Sequence, residues 1–312
     1  MKSIDILSFG EPLYEFSQLP QDDEPVSYLS GYGGDTSNFA VSAARQGAKV
    51  AMLTQLGRDV FGDKFVTLWN KEGVSSEFVL RHADAPTGIY FITHDDQGHH
   101  FTFYRKGLAA SLLRPSDISE TAILNARLLH TSAITLAISD SACDSVFAAI
   151  ELAHQHDTLV SFDTNLRLKL WPLARARAVI HEVVRHVDIC LPSLDEARLL
   201  TGLEDADAIA DYYLHCGVKE VILKLGSEGA MYSSENSRLR VSGHQVATVD
   251  ATGAGDCFSG AFLTRYLAGD KPEQALRYAN AAAALTTTGY GAVAPIPFRA
   301  DVTQFLGQFL GQ

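Results

Sequence analysis

The sequence has 312 residues, of which 46% are hydrophobic and 20% are charged. This composition is typical of an ordinary globular protein and excludes a disordered or fibrous chain. The formal net charge of −12 gives no electrostatic support for binding nucleic acid or an anionic membrane. An anionic substrate would therefore need a local group of Arg and Lys side chains.

The cysteines indicate a reducing compartment. Cys143, Cys190, Cys216 and Cys257 are widely separated and form no C-x-x-C pair. The first residues lack the apolar core of a signal peptide, and no stretch reaches the roughly 18 apolar residues of a membrane span. We therefore expect a soluble, cytoplasmic protein whose partners include neither membrane nor nucleic acid.

Short apolar runs alternate with helical patterns along the chain, which is typical of βαβ units around a mainly parallel sheet. The predicted strands are Ile4–Phe9, Val50–Gln55, Leu128–Thr131, Thr158–Asp163, Val187–Leu191 and Glu220–Leu225. The predicted helices are Thr36–Gln46, Ser139–His154, Asp195–Thr201 and Gly255–Ala268. The fold class expected is therefore α/β.

Residues 12–34 and 86–106 interrupt this rhythm. The second segment predicts a β-hairpin with strands Gly88–His94 and His99–Tyr104 and a turn at Asp95–Gly98. One interpretation is a small β-layer inserted into the α/β body, which would serve as a lid that excludes water from a reactive phosphoryl group. The other, which periodicity favours equally, is that these strands extend the main sheet.

The segment Asp250–Asp256 carries the strongest chemical signal. It lies between a strand-like run, Gln245–Val249, and an apolar helix pattern beginning at Cys257. Two glycines let the backbone approach a ligand closely, and the first amides of a helix form an anion site. The amides of Ala254 and Gly255 would hold phosphoryl oxygens while Asp256 accepts the proton of an attacking hydroxyl. Alternatively, Asp256 only caps the helix.

Other nucleotide-binding and hydrolytic motifs are absent from the sequence. It contains no G-x-x-x-x-G-K-[ST], no G-x-G-x-x-G at the candidate glycines and no G-x-S-x-G. These absences exclude a P-loop and weaken the case for a dinucleotide-binding fold or a serine hydrolase.

The chain resembles the ribokinase-like (phosphofructokinase B type) carbohydrate kinases over essentially its whole length. The motifs that carry the resemblance occur in the family's order, and they are Gly33–Ala40, Leu56–Gly62 and Asp250–Gly260. The resemblance implies a single three-layer α/β/α domain spanning residues 1–312, with a small β-sheet lid. It also implies Asp256 as catalytic base and Gly253–Asp256 as the anion hole.

The same resemblance implies ATP and Mg²⁺ as cofactors. Residues that match the nucleotide side are Ser193, Lys224, Gly226, Gly229, Gly253, Gly255 and Asn280. Glu196 matches an indirect magnesium ligand, although Ser193 replaces the Asn of the family's N-x-x-E motif. Asp250 and Thr252 match a monovalent-cation site, but Pro295 stands where a side-chain oxygen is often found, so the need for K⁺ stays open. From the residues alone, Asn280 and Glu196 are equally consistent with structural roles.

Two further segments, Tyr104–Ser111 and Asp163–Trp171, resemble 2-keto-3-deoxygluconate kinases. The candidate substrate-binding residues are Gly33, Gly34, Asn38, Tyr90, Tyr104, Arg105, Arg167 and Asp256. The guanidinium groups of Arg105 and Arg167 would bind a sugar-acid carboxylate, and two tyrosines would form aromatic walls. Without the family context, the favoured interpretation is that Arg105 is a solvated strand-end charge and Arg167 a phosphate or structural contact.

The leading hypothesis is an ATP-dependent 2-keto-3-deoxygluconate kinase. The alternatives are a fructokinase or another neutral-sugar kinase, and a non-catalytic sugar-binding regulatory protein on the same fold. A small β-layer with exposed edges also predicts a homo-oligomer, such as a dimer formed through the lid.

Overall fold

The computed structural model describes residues 2–19, 26–95 and 98–308. The strands in this part of the chain are β1 (Ile4–Phe9), β2 (Leu13–Gln18), β3 (Tyr28–Gly33), β4 (Val50–Gly57), β5 (Val74–His82), β6 (Gly88–Asp95), β7 (Gly98–Tyr104), β8 (Ala126–Ser132), β9 (Leu159–Asp163), β10 (Ile189–Cys190), β11 (Glu220–Lys224), β12 (Ala230–Ser234) and β13 (Ser237–Val241). The predicted turn at Asp95–Gly98 includes residues that lie outside the described ranges.

The helices alternate with these strands. They are α1 (Asp35–Arg45), α2 (Val60–Lys71), α3 (Glu120–Asn125), α4 (Ala133–Ala137), α5 (Asp140–Gln155), α6 (Leu173–Val184), α7 (Leu194–Thr201), α8 (Ala206–His215), α9 (Ala254–Leu267), α10 (Pro272–Thr286) and α11 (Arg299–Gly307). No helix in the described residues is long and apolar enough to cross a membrane.

Among the described residues, nine strands form one sheet in the order β13-β12-β11-β10-β9-β8-β1-β4-β5. The pairs from β11 to β5 are parallel, whereas β12 and β13 extend one edge in antiparallel fashion. The predicted α/β class is thus confirmed. Because parallel strands all end at the same edge, the loops after β1, β8, β9, β10 and β11 meet there.

Helices cover both faces of this sheet because alternate side chains of each strand point to opposite faces. Leu7 of β1 belongs to a core cluster with α3, α5, α6, α7 and α8. Its neighbour Ile6 belongs to a second cluster with α1, α2, α9, α10 and α11. The result is the expected three-layer α/β/α arrangement.

The interrupting segments form their own sheet, in the order β3-β2-β6-β7, and do not extend the main one. We call these four strands the small sheet. The strands β2 and β6 pair in parallel, while β2–β3 and the predicted hairpin β6–β7 pair in antiparallel fashion. The chain crosses between the sheets just before Leu13 and Gly88 and just after Gly33 and Tyr104.

The strand-like run before the glycine turn is not a strand. Residues 245–249 form no sheet pairing, and the segment before the glycine turn instead runs from the end of β13 toward the C-terminus of α10. The Val249 amide donates to the carbonyl of Thr287 at 2.7 Å. The apolar and β-branched residues of this run gave a strand-like pattern, but β13 already occupies the sheet edge.

The helices α1 and α9 pack closely, and a glycine permits the contact. A Cβ placed on Gly260 of α9 would lie 2.7 Å from the carbonyl oxygen of Phe39 and 2.9 Å from the side chain of Ser42. The Ser42 hydroxyl donates to the carbonyl of Cys257 at 2.9 Å. This contact fixes the start of α9 against α1, which positions the groups described below.

We expect Gly260→Ala to destabilise the protein by about 1–3 kcal/mol, because the added methyl group would force the two helices apart. Gly307→Ala is the matched control, since it places a methyl group on helix α11 with no atom of the described residues within 4 Å. Chemical denaturation measures both changes. A loss no larger in Gly260→Ala than in the control would contradict this account of the helix contact.

Candidate active site

Charged and polar residues follow the carboxyl ends of neighbouring parallel strands. Glu11 comes shortly after β1, Asp163 ends β9, Ser193 follows β10 and Lys224 ends β11. The N-terminus of α9 lies above this edge, because a Cβ on Gly255 would be 3.7 Å from the Lys224 Nζ. The crevice at the carboxyl edge is where open α/β sheets bind ligands.

The predicted glycine turn is present and starts α9. Gly253 precedes the helix with a φ of 76°, a left-handed conformation in which a Cβ would also lie 2.8 Å from the carbonyl oxygen of Ala292. The Ala254 amide donates to the carbonyl of Ala251 at 3.2 Å, so it is not one of the free donors that the sequence predicted. Within the described residues, the amides of Gly255 and Asp256 have no backbone acceptor. These two amides are therefore available to an anion.

Asp256 lies in the first turn of α9 and contacts α1. Its Oδ2 accepts a hydrogen bond of 2.8 Å from the Nδ2 of Asn38, which confirms that these two predicted residues meet. Its side chain does not accept the capping hydrogen bond of the alternative interpretation. Burial, followed by the nearby charge of Asp35, raises the pKa of Asp256, while the Asn38 bond and Lys224 oppose the rise. A carboxyl with a raised pKa is a better proton acceptor than an ordinary aspartate.

A buried ion pair supports the floor of this site. The Lys224 Nζ lies 2.6 Å from Asp163 Oδ2, with side-chain exposures of 11% and 5%, and the Ser259 hydroxyl donates to the same oxygen. Burial lowers the pKa of Lys224, but Asp163 and Glu196 outweigh it, and the net pKa is raised. Lys224 is therefore a permanent positive charge beside the free amides of α9.

A cavity of about 940 Å³ lies on one side of the turn. Six predicted nucleotide-side residues line it, namely Ser193, Lys224, Gly226, Gly229, Gly255 and Asn280, whereas Gly253 does not. Sequence reasoning missed other lining residues, including Gly243, His244, Thr248, Phe258 and Ala283. The strand-like run before the glycine turn forms part of this wall.

Asn280 also has a structural role. It is 5% exposed, and its Nδ2 donates to the carbonyls of Val241 and Ser242 at 3.0 and 3.1 Å. These bonds attach α10 to the end of β13. The alternative that Asn280 is a satisfied buried polar residue is therefore consistent with its contacts, although it also borders the cavity.

Glu196 lies in the first turn of α7, beside the cavity. Its Oε1 accepts from Arg167 Nη1 at 3.0 Å and its Oε2 from Thr164 Oγ1 at 3.4 Å. Burial and Asp163 raise its pKa, while Lys224 and Arg167 lower it. In the described residues, no three His, Cys, Asp or Glu side chains converge as a metal cage. Glu196 alone would suit a magnesium ion that keeps most of its ligands as water and phosphate oxygens.

Asp250 ties the turn to the loop that follows α10. Its Oδ1 accepts from the amide and the hydroxyl of Thr252 at 2.9 and 2.7 Å, and its Oδ2 accepts from the amide of Gly291 at 2.9 Å. The two residues predicted for a monovalent cation are thus adjacent in space. Their contacts also account for the shape of the turn.

The small sheet covers the other side of Asp256. Gly33 ends β3, and a Cβ there would lie 2.6 Å from the Tyr90 hydroxyl. Gly34 begins the turn into α1. The Tyr90 hydroxyl donates to the buried carboxyl group of Glu15; burial raises the pKa of Tyr90, and the charges of Glu15, Asp250 and Asp256 raise it further. Tyr90 therefore lies on the side of the small sheet that faces Asp250 and Asp256.

Tyr104 is not placed beside Tyr90, contrary to the prediction. In the β6–β7 hairpin Tyr90 pairs with Phe103, whereas Tyr104 pairs with Ile89 on the opposite face. Phe103 stacks on Tyr90 with ring centroids 5.4 Å apart, and Tyr104 is 57% exposed and contacts Phe91. The strand register decides which of the two adjacent residues, Phe103 or Tyr104, lies on the same face as Tyr90. The sequence of these two residues alone did not reveal this.

Arg105 is buried rather than solvated. Its side chain is 12% exposed, its Nη2 lies 3.3 Å from Glu11 Oε2, and its guanidinium stacks over Phe103 at 4.5 Å. Glu11 is 1% exposed and was not identified from the sequence. Its position just after the first core strand was the available signal.

Arg167 and Arg105 do not share a contact. Arg167 bonds to Glu196, which adjoins the nucleotide-sized cavity, and its side chain is 52% exposed. Burial raises the pKa of Asp35 and Arg167 opposes this rise, while the charge of Asp35 in turn raises the pKa of Glu11. Asp35 also accepts from Asn165 Nδ2 at 2.9 Å. Asp35 and Asn165 lie within the sequence motifs described above, but they were not predicted to be site residues.

A cavity of nucleotide size that adjoins a pair of free amides, with a buried carboxylate beside them, meets the needs of phosphoryl transfer between small molecules. This arrangement is that of a small-molecule kinase. The model of the pfkB family of carbohydrate kinases matches residues 3–299, and the chain belongs to that family. The alternative of a non-catalytic regulatory protein is thereby set aside.

Relatives with different substrates are similar to the chain to almost the same degree. It is 34% identical to a 2-dehydro-3-deoxygluconokinase of Thermoproteus tenax, over 97% of this chain and 94% of that protein. It is 32% identical to fructokinase-2 of Solanum lycopersicum, over 96% and 95%. A protein of Escherichia coli, provisionally named ribokinase II and solved with ATP and Mg²⁺, has 28% identity and a TM-score of 0.89, over 98% and 99%. The protein is a sugar kinase, and these similarities do not select the sugar.

Proposed function

We propose that this kinase transfers the γ-phosphoryl group of ATP, with Mg²⁺, to the terminal hydroxyl of 2-keto-3-deoxygluconate. This compound is also called 2-dehydro-3-deoxygluconate, the substrate in the name of the Thermoproteus tenax relative. The product is 2-keto-3-deoxy-6-phosphogluconate. The proposal of a sugar acid as the substrate depends on Arg105.

Arg105 supports a sugar-acid substrate because it is a buried cation beside the small sheet. Its Nε has no hydrogen-bond partner within the described residues. A buried donor without an acceptor is costly, and a carboxylate would satisfy it with a charge-assisted bond. Tyr90 and Phe103 provide the aromatic wall beside it. Arg167 provides a second positive charge on the Glu196 side of the same crevice.

The 940 Å³ cavity is large enough for a nucleotide, since small-molecule sites commonly measure roughly 300–1,000 Å³. Lys224 and the free amide of Gly255 would contact its phosphates, and Gly226, Gly229 and Asn280 would border its other end. Glu196 would hold Mg²⁺ through water. The ion would neutralise the charge that develops on the phosphate oxygens.

Asp256 and its neighbours would perform the proton transfer. The Asn38 amide holds one carboxylate oxygen of Asp256, which leaves the other oriented by α9 for the substrate hydroxyl. As that hydroxyl loses its proton to Asp256, the Gly255 amide and Lys224 stabilise the negative charge of the transferring group. The Asp163 carboxylate keeps Lys224 in position. The small sheet, with residues 12–34 and 86–106, would act as the lid that excludes water.

A fructokinase is the second candidate, because Glu11 already pairs with Arg105. A neutral hexose would not require a free guanidinium. Asp250 and Thr252 would bind K⁺ in either case, if the loop around Gly291 supplies further carbonyl oxygens.

We expect Asp256→Asn to lower kcat by about 10²- to 10⁴-fold, because the amide cannot accept the hydroxyl proton. Nucleotide affinity, measured by calorimetry, should stay within a few-fold. Since Asp256 must be ionised and its pKa is raised, kcat/KM of the unmodified enzyme should fall on acidification at a higher pH than for an ordinary aspartate. Turnover retained in Asp256→Asn would exclude this residue as the base.

A substrate screen at fixed ATP tests the choice of sugar. We expect 2-keto-3-deoxygluconate to give the highest kcat/KM, and Arg105→Met to raise its KM roughly 10- to 100-fold while KM for fructose changes little. Arg114→Met is the control, because Arg114 is 71% exposed and pairs locally with Asp117. Preference for fructose in the unmodified enzyme would favour the second candidate.

The small sheet would also join two copies of the chain. Its edge strands β3 and β7 expose several large apolar side chains, namely Tyr28, Leu29, Phe101, Phe103 and Tyr104. We expect light scattering to give the mass of a homodimer, and Leu29→Lys with Tyr104→Lys to give that of a monomer. A monomeric unmodified protein would contradict this assembly.

A further inference from the structure

The Glu11–Arg105 ion pair lies where the four strands of the small sheet join the main domain. Glu11 follows β1 and precedes β2, and Arg105 directly follows β7. A Cβ on Gly88, at the start of β6, would lie 3.7 Å from the Glu11 Oε1. A Cβ on Gly34, just after β3, would lie 2.3 Å from the Glu11 carbonyl oxygen. All the chain segments that connect the small sheet to the main sheet therefore lie around Glu11.

The carboxyl group of Glu11 is poorly satisfied in this position. It is 1% exposed, and neither of its oxygens has a hydrogen bond within the described residues, although Oε2 lies 3.3 Å from Arg105 Nη2. On the Arg105 side, Nε also lacks a partner. Asp35 adds a second carboxylate nearby, and one of its oxygens, Oδ1, is also unpaired. Two incompletely bonded carboxyl groups, Glu11 and Asp35, therefore act on one another here, and Glu11 is the one that pairs with the guanidinium of Arg105.

We infer that Glu11 is a specificity-determining residue that binds a proton when the substrate's carboxylate binds to Arg105. This inference rests on the proposed sugar-acid function. The proton comes from solvent and ends on a carboxyl oxygen of Glu11, which then stays next to Arg105 as a neutral group. No covalent bond of the substrate changes in this step.

The charge balance around Arg105 explains why a proton is required. A substrate carboxylate at the free Nε would add a second negative group to the one cation that pairs with Glu11, while the charge of Asp35 already acts on Glu11, and like charges in such surroundings disfavour ionisation. The charged groups that face Glu11 are Arg105, beyond β7, and Asp35, at the start of α1, while β6 contributes the uncharged Gly88. Burial raises the pKa of Glu11, Arg105 lowers it and Asp35 raises it, and the net pKa is about 7. Glu11 can therefore gain a proton near neutral pH.

Calorimetry measures the number of protons that the protein takes up on binding 2-keto-3-deoxygluconate. Binding is measured without nucleotide, in two buffers that differ in ionisation enthalpy. All proteins carry Asp256→Asn, because Asp256 also has a raised pKa and would otherwise titrate. With a Glu11 pKa of about 7, uptake should rise from about 0.1 proton at pH 6 to about 0.9 at pH 8. The affinity should weaken by up to about tenfold over the same interval.

Adding Glu11→Gln should abolish the uptake and leave the affinity at pH 6 and pH 8 within about twofold of each other. Glu72→Gln is the matched control, because Glu72 also pairs with a buried arginine, Arg45, with both side chains 8% exposed, and it should keep the uptake. Binding without proton uptake, or uptake that persists in Glu11→Gln, would overturn the role of Glu11 while leaving the sugar-acid function intact. If the Glu11→Gln protein does not fold, the pH dependence of proton uptake in the Asp256→Asn protein decides whether Glu11 binds the proton. No binding of the sugar acid, together with turnover of fructose by the unmodified enzyme, would overturn both.

Discussion

The contact between α1 and α9 is the constraint on which the active site depends. Asn38 and Asp256 are 218 positions apart in the chain, yet their side chains hydrogen bond because Gly260 lets the two helices approach. The same contact directs the first amides of α9 toward the carboxyl edge of the sheet. Without it, the proposed base, the anion site and the small sheet would not face a common volume.

Charge in this crevice is arranged in pairs rather than as one positive patch. Lys224 pairs with Asp163, Arg167 with Glu196 and Arg105 with Glu11. An acidic protein can bind anionic ligands in this way, because a carboxylate partner holds each cation in place and reduces the net positive charge around it. Replacing one member of a buried pair such as Lys224–Asp163 or Arg105–Glu11 leaves the other without compensation, which is why an Arg105 variant needs a control on folding.

The pairing also separates two roles that the sequence assigned together. Arg105 and Arg167 were expected to hold one substrate carboxylate, but only Arg105 lies under the small sheet with an unpaired donor. Arg167 contacts Glu196, at the side of the crevice where the proposed metal ion would lie. Substrate choice is therefore expected to depend more on Arg105 and Glu11 than on Arg167.

By itself, the sequence determined the α/β class, the β6–β7 hairpin and the glycine turn before α9, because these depend on local periodicity and on residues with special backbone preferences. The family resemblance added the order of the motifs. The tertiary structure decided what depends on register and long-range packing: that Phe103 rather than Tyr104 stacks on Tyr90, that residues 245–249 line a cavity instead of joining the sheet, and that Glu11 meets Arg105. A local pattern cannot specify which distant partner fills a position, and for that reason these features became visible only in the folded chain.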